Sequence, residues 1–211
     1  MKFLHFLWNL IVTFVVTLML CFGVLWFLTT SYATPLVNEL KTLITKVQPA
    51  LKTDTDTQTD TDQTNRWATN TATVYLEATD AQIQNAYLQA LDNWNQTGAF
   101  KFEQVTSKNE AQIVLKQQND SQTKAAGVTH ILADQITSRL TSADVYLNTY
   151  YLLNPQFGYS NERIVNTAEH ELGHAIGLSH NDQSASVMQS AGSYYGIQSE
   201  DISAVEKLYQ S

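Results

Sequence analysis

Read as a pattern of apolar and polar positions, the 211-residue chain falls into three stretches. The first is almost wholly apolar. From Leu10 to Leu28 no residue carries a charge, a run about as long as the roughly 20 residues an α-helix needs to cross a bilayer. It predicts a single-pass anchor over residues 1–30, because a cleavable signal usually has only about 7–15 apolar residues. The alternative is a secretory signal cut near Ser31-Tyr32-Ala33, where small residues occupy suitable positions. Lys2 and the amino terminus are the only positive charges before the span. Either reading therefore sends the rest of the chain out of the cytoplasm, to the cell membrane or beyond it.

The second stretch, residues 31–65, begins with a helical stripe of Leu36, Val37, Leu40, Leu43, Ile44 and Val47, which predicts a juxtamembrane helix. It continues from Lys52 to Asn65 as Thr, Asp and Gln without a core-forming side chain, the composition of a flexible linker. Aspartates 54, 56, 60 and 62 have a calcium-loop rhythm but lack the glycine and closing glutamate of such a loop. A solvated tether is the simpler reading.

The third stretch, residues 66–211, is patterned as one globular domain. Alternation around Val74 and Leu76 predicts a strand over Thr73 to Glu77. Asp80 caps a helix whose buried face is Ile83, Ala86, Tyr87, Ala90, Leu91 and Trp94. Strand-like runs follow at Phe100 to Val105, Ala111 to Lys116, Gly127 to Leu132 and Asp144 to Asn148. A second helix over Asn161 to Ile176 faces the core with Ile164, Ala168, Leu172, Ala175 and Ile176. A third, opened by Ser199, Glu200 and Asp201, buries Ile202, Val205 and Leu208. Strands first and helices later indicate an α+β fold.

Composition narrows the function. Twelve Lys and Arg against 20 Asp and Glu give a net charge of −8, which argues against nucleic acid as a partner. The single cysteine, Cys21, lies in the apolar run, so the domain has no disulfide framework.

The chemistry is concentrated in His170-Glu171-Leu172-Gly173-His174-Ala175-Ile176-Gly177-Leu178-Ser179-His180. Residues four apart share a helical face, so His170 and His174 can offer imidazoles to one metal ion, with Glu171 within reach of a water on that ion. Gly177 lets the chain leave the helix and swing His180 back as a third ligand. Three nitrogen ligands leave one position of a tetrahedral zinc open for a reactive water. Any one of these histidines alone would read as an ordinary surface residue.

This motif, followed by Ser186-Val187-Met188, resembles the signature of the metzincin zinc metallopeptidases and their methionine turn. The chain is most similar to the matrixin branch over Arg66 to Gln210, supported by Asn93-Trp94 and by the closing Ser199 to Tyr209 segment. Ser190 stands where astacin-like and serralysin-like relatives carry a metal-reaching tyrosine. The resemblance implies a twisted mixed β-sheet of about five strands with three helices, one catalytic Zn2+, Glu171 as general base, and Met188 as a packing floor beneath the metal. It also implies a protein or peptide substrate lying along an edge strand, for which Asp144 to Asn148 is the candidate, and a pocket shaped by Tyr194 and Tyr195. Both tyrosines read equally well as packing residues.

The departures are informative. Animal matrixins hold a second zinc with three histidines and an aspartate, whereas only His130 remains here outside the motif, so that ion is expected to be absent. Residues 34–65 contain no cysteine, so latency through a propeptide thiol is not expected. Structural Ca2+ has Asp134 and Asp144 as acidic candidates, against the simpler reading of solvated surface carboxylates. Two competing functions share the zinc motif: a catalytically idle zinc-binding surface module, and a zinc hydrolase with a non-protein substrate.

Overall fold

A computed structural model describes residues 51–53, 65–190 and 193–210. The expected anchor over residues 1–30, the juxtamembrane helix and nearly all of the Thr/Asp/Gln linker lie outside the described residues. Among the described residues, no helix is long and apolar enough to cross a membrane.

Alternating burial builds the sheet. Strands run at Leu51–Thr53 (β1), Thr71–Leu76 (β2), Lys101–Gln104 (β3), Ile113–Gln118 (β4), Gly127–Ala133 (β5) and Leu140–Asn148 (β6). Their order across the sheet is β1-β5-β6-β4-β2-β3. Pairing is parallel among β6, β4, β2 and β3 and antiparallel at β5 with both of its neighbours. The mixed sheet thus has the five strands expected within the domain and a sixth, β1, at the start of the stretch read as linker.

Helices Ala81–Thr97 (α1), Thr149–Leu152 (α2), Asn161–Ala175 (α3) and Ser199–Tyr209 (α4) complete the domain. Asp80 caps α1 as expected, its carboxylate accepting from the amides of Gln82 and Ile83. All six residues assigned to the inner face of α1 are buried. In α3, burial extends almost around the helix and includes Asn166, Thr167, Glu169, Glu171 and His174, because α1 and the sheet enclose it. Two indole N–H groups bind its carbonyls: Trp94 donates to Glu169 O at 3.0 Å and Trp67 to Ala175 O at 2.9 Å.

Two expectations are corrected. On α4 only Val205 of the three named apolar residues is fully buried, Ile202 and Leu208 being half-buried, while Asp201 is 2% exposed. The first turn of this helix is anchored by the hydrogen bonds of Asp201 together with Ile202, which packs half-buried against the core. Asp144 to Asn148 is also not an edge: β6 lies between β4 and β5 and pairs with both. The strand near the sheet's edge is β5, whose outer side meets β1 only over His130 to Leu132.

Candidate metal centre

The centre begins with the end of α3. Gly177 has φ +100°, a backbone region that side chains disfavour, and a Cβ there would fall 2.1 Å from Asn65 O. Its amide binds His174 O and the next amide, of Leu178, reaches back to Gly173 O. This doubly bonded exit terminates the helix. It returns His180 to the face carrying His170 and His174.

The three imidazoles converge. His170 Nε2 lies 3.0 Å from His174 Nε2, which lies 3.2 Å from His180 Nε2. His170 Nδ1 is 2.7 Å from Val187 O, and His174 Nδ1 is 2.9 Å from Leu178 O. A carbonyl only accepts, so in both rings Nδ1 carries the proton and Nε2 presents a lone pair. Lone pairs at 3.0 Å repel one another unless a cation lies between them. Nitrogens around a tetrahedral zinc, at about 2.0–2.1 Å from the ion, stand about 3.3–3.4 Å apart. The donor set, spacing and tautomers therefore fit a zinc ion. Protons are a poor alternative at neutral pH: burial, and after it the neighbouring His180, push His174 down to about 4.

A second layer fixes the first. Met188 is 1% exposed and packs against Gly173, its sulfur standing where a side chain at 173 would go. Its amide donates to Ser186 Oγ at 2.9 Å. Ser186 Oγ in turn donates to Asp201 Oδ1 at 2.5 Å, while Asp201 Oδ2 accepts from the amides of Val187 and Gln198, both at 2.9 Å. One buried carboxylate thus holds Val187, whose carbonyl orients His170. The sequence pointed to Asp201 only as a helix-start residue. Asp182 pins the connecting loop by accepting from the amide and hydroxyl of Ser190, and these bonds lower its pKa.

Glu171 is 5% exposed and lies against β5. Thr129 Oγ is 2.7 Å from its Oε2, and a Cβ on Gly127 would meet its Oε1 at 2.5 Å. Neither Thr129 nor Gly127 carried a sequence signal tying it to Glu171.

Tyr194 and Tyr195 are 65% and 43% exposed, and the Tyr194 ring lies 4.5 Å from the Arg163 guanidinium, which also faces Tyr159 at 4.3 Å. A cleft of about 760 Å³ between α1, α3 and the segment from Gly196 to Ile202 is lined by Asn93, Asn166 and Glu169, and by neither tyrosine nor any of the three histidines. Desolvation raises Glu169 there, against a hydrogen bond from Asn93. Asp134 Oδ1 accepts from the amides of Ile136 and Thr137 and the Thr137 hydroxyl, and Asp144 is bound to Lys116. Both carboxylates proposed for calcium are engaged within the protein.

Comparison with known proteins agrees with the geometry. The matrixin family model matches residues 62–210. A curated relative, the probable matrix metalloproteinase 095L of Invertebrate iridescent virus 3, is 28% identical over an alignment that covers 60% of this chain and 37% of that protein. The chain therefore matches little more than a third of the length of that relative.

Proposed function

The chain belongs to the matrixin family, and from that premise we propose that it is a zinc-dependent endopeptidase that hydrolyses internal peptide bonds of extracellular or cell-surface proteins. The observation that carries this reading is the convergence of three imidazole nitrogens, two of them on the helix that also carries the buried Glu171. His170, His174 and His180 would hold the ion. Bound there, zinc would act as a Lewis acid towards the scissile carbonyl and would lower the pKa of the attacking water. Glu171 takes the proton of the attacking water and delivers it to the departing amine, so that water is consumed and one peptide bond is broken. Met188 forms the floor under the histidines.

The substrate lies extended along β5, beside Gly127 to Thr129, in place of the Asp144 to Asn148 strand that the sequence suggested. Among the described residues this part of the β5 edge has no strand partner. A peptide added there gains backbone hydrogen bonds next to Glu171. Tyr194 and Tyr195, on the exposed segment after Met188, are assigned to the wall of the pocket for the residue following the cut. The uncharged Leu10–Leu28 run supports a membrane anchor with the domain outside the cytoplasm.

The test is to purify the full chain in detergent, measure bound zinc, and follow cleavage of an unstructured protein with and without a chelator. Glu171→Ala is expected to keep the metal and to lose about 10²–10⁴-fold in rate. Zinc binding with no cleavage of any protein tried would favour an idle surface module. Wild-type cleavage by Glu171→Ala would refute the mechanism.

A further inference from the structure

The place of Glu171 on α3 brings it near the histidines, but β5 decides where its carboxylate points. Gly127 and Thr129 are two residues apart on one strand and therefore share the sheet face that meets α3. Thr129 is fully buried, and its hydroxyl lies 2.7 Å from Glu171 Oε2 and 2.9 Å from Glu171 O. A hydroxyl has one hydrogen, and of these two acceptors the carboxylate makes the stronger bond. With Glu171 itself only 5% exposed, water competes little for that bond. On the other side, Glu171 fills the space a side chain at 127 would need: a Cβ would come within 2.5 Å of Oε1 and 2.6 Å of Cγ. One carboxylate oxygen is thus held by a hydroxyl, and the other faces the backbone beside the open stretch of β5.

We propose that Thr129 is a positioning residue for the general base. Its hydroxyl fixes Oε2 and so sets the direction in which Oε1 meets the reacting water, while the missing side chain at Gly127 provides the room. The buried Thr129 side chain touches neither substrate nor metal, and acts through Glu171. The proposal rests on the reading of Glu171 as general base.

The test compares Thr129→Val, which keeps the branched shape and removes the hydroxyl, with Thr129→Ser in the full-length chain. For a quenched fluorescent peptide, Thr129→Val is expected to lower kcat about ten- to a hundredfold, the range found for residues that orient a site's reacting groups. KM and zinc per chain should stay at wild-type values, and Thr129→Ser should recover most of kcat. A readout independent of turnover is the crystal structure of metal-free Thr129→Val, in which the Glu171 carboxylate should leave its position beside residue 129. Gly127→Ala displaces the same carboxylate from the opposite side and serves as the second variant should Thr129→Val fail to fold; its kcat should also fall. Wild-type kcat in the variant that folds, a serine variant as slow as the valine one, or an unmoved Glu171 carboxylate would each overturn the proposal. Glu171→Ala measured alongside separates the two readings. If it is inactive while Thr129→Val is unimpaired, only the role of Thr129 falls; if it is active, the general-base reading falls first.

Discussion

Two clusters in this domain gather metal-ligating side chains, and they resolve their electrostatics in opposite ways. At the end of α3, three imidazoles meet with Nε2 atoms 3.0 and 3.2 Å apart, the Nδ1 atoms of His170 and His174 already committed to carbonyls. On the sheet, His130 of β5 stands opposite Asp144 of β6, with its ring edge-on to Tyr146 at 5.5 Å. Here the cation is built in: Lys116 Nζ lies 2.7 Å from Asp144 and 3.2 Å from the Tyr146 hydroxyl. Burial works against the lysine's charge, but its hydrogen bonds to Asp144 and Tyr146 prevail and raise its pKa. Residue type alone does not make a metal site. In the sheet cluster one buried ring nitrogen, His130 Nδ1, lacks a hydrogen-bond partner, whereas at the end of α3 three imidazole nitrogens converge on one point.

The sharpest way to break this comparison is to remove the metal. If zinc relieves the repulsion among the histidines, zinc at a thousand times its Kd should stabilise the fold by about 4 kcal/mol relative to chelated protein. A thermal or urea melt reads this directly, and His174→Ala should erase it. An unchanged melt on chelation would contradict the comparison. Next in size is the support beneath the centre. Asp201→Ala strands the Val187 and Gln198 amides and the Ser186 hydroxyl, and should cost about 3 kcal/mol in urea unfolding; a loss within error would assign the support to packing alone.

A third expectation concerns pH in the metal-free protein. His174 is held near 4 in the fold and titrates near 6.5 when unfolded. The unfolded chain therefore binds the proton first. The stabilisation is complete above about pH 6.5 and is lost as pH falls towards 4, by up to about 3 kcal/mol. His174→Gln should lack this part of the acid dependence, and an identical pH profile would count against it. The smallest effect belongs to the sheet cluster. Asp144 is 41% exposed at its side chain, so Lys116→Met should cost less than about 1 kcal/mol and leave bound zinc per chain as it was, checked by elemental analysis.

Much of the domain was legible in the sequence because its causes are local. Helical spacing named the six buried residues of α1 and the core residues of α3. The four-residue interval in His170 to His174 and the glycine at 177 described the centre before any contact was known, since a helical face and a backbone exit depend on near neighbours. Where local pattern was weak, tertiary contacts prevailed. Ile202 and Leu208 have the periodicity of a buried face, yet α4 is secured through Asp201, whose partners lie 14 and 15 residues earlier.

The sequence by itself determined the three-histidine cluster, the α+β order of elements and the apolar faces that pack them. Strand order was decided only in three dimensions, where β6 entered the middle of the sheet and left β5 beside α3. That placement brought Thr129 to Glu171 across 42 residues. The physical reason is that hydrophobic periodicity specifies which face of an element is buried, whereas a hydrogen bond between distant residues depends on strand neighbours and register, which no single segment encodes.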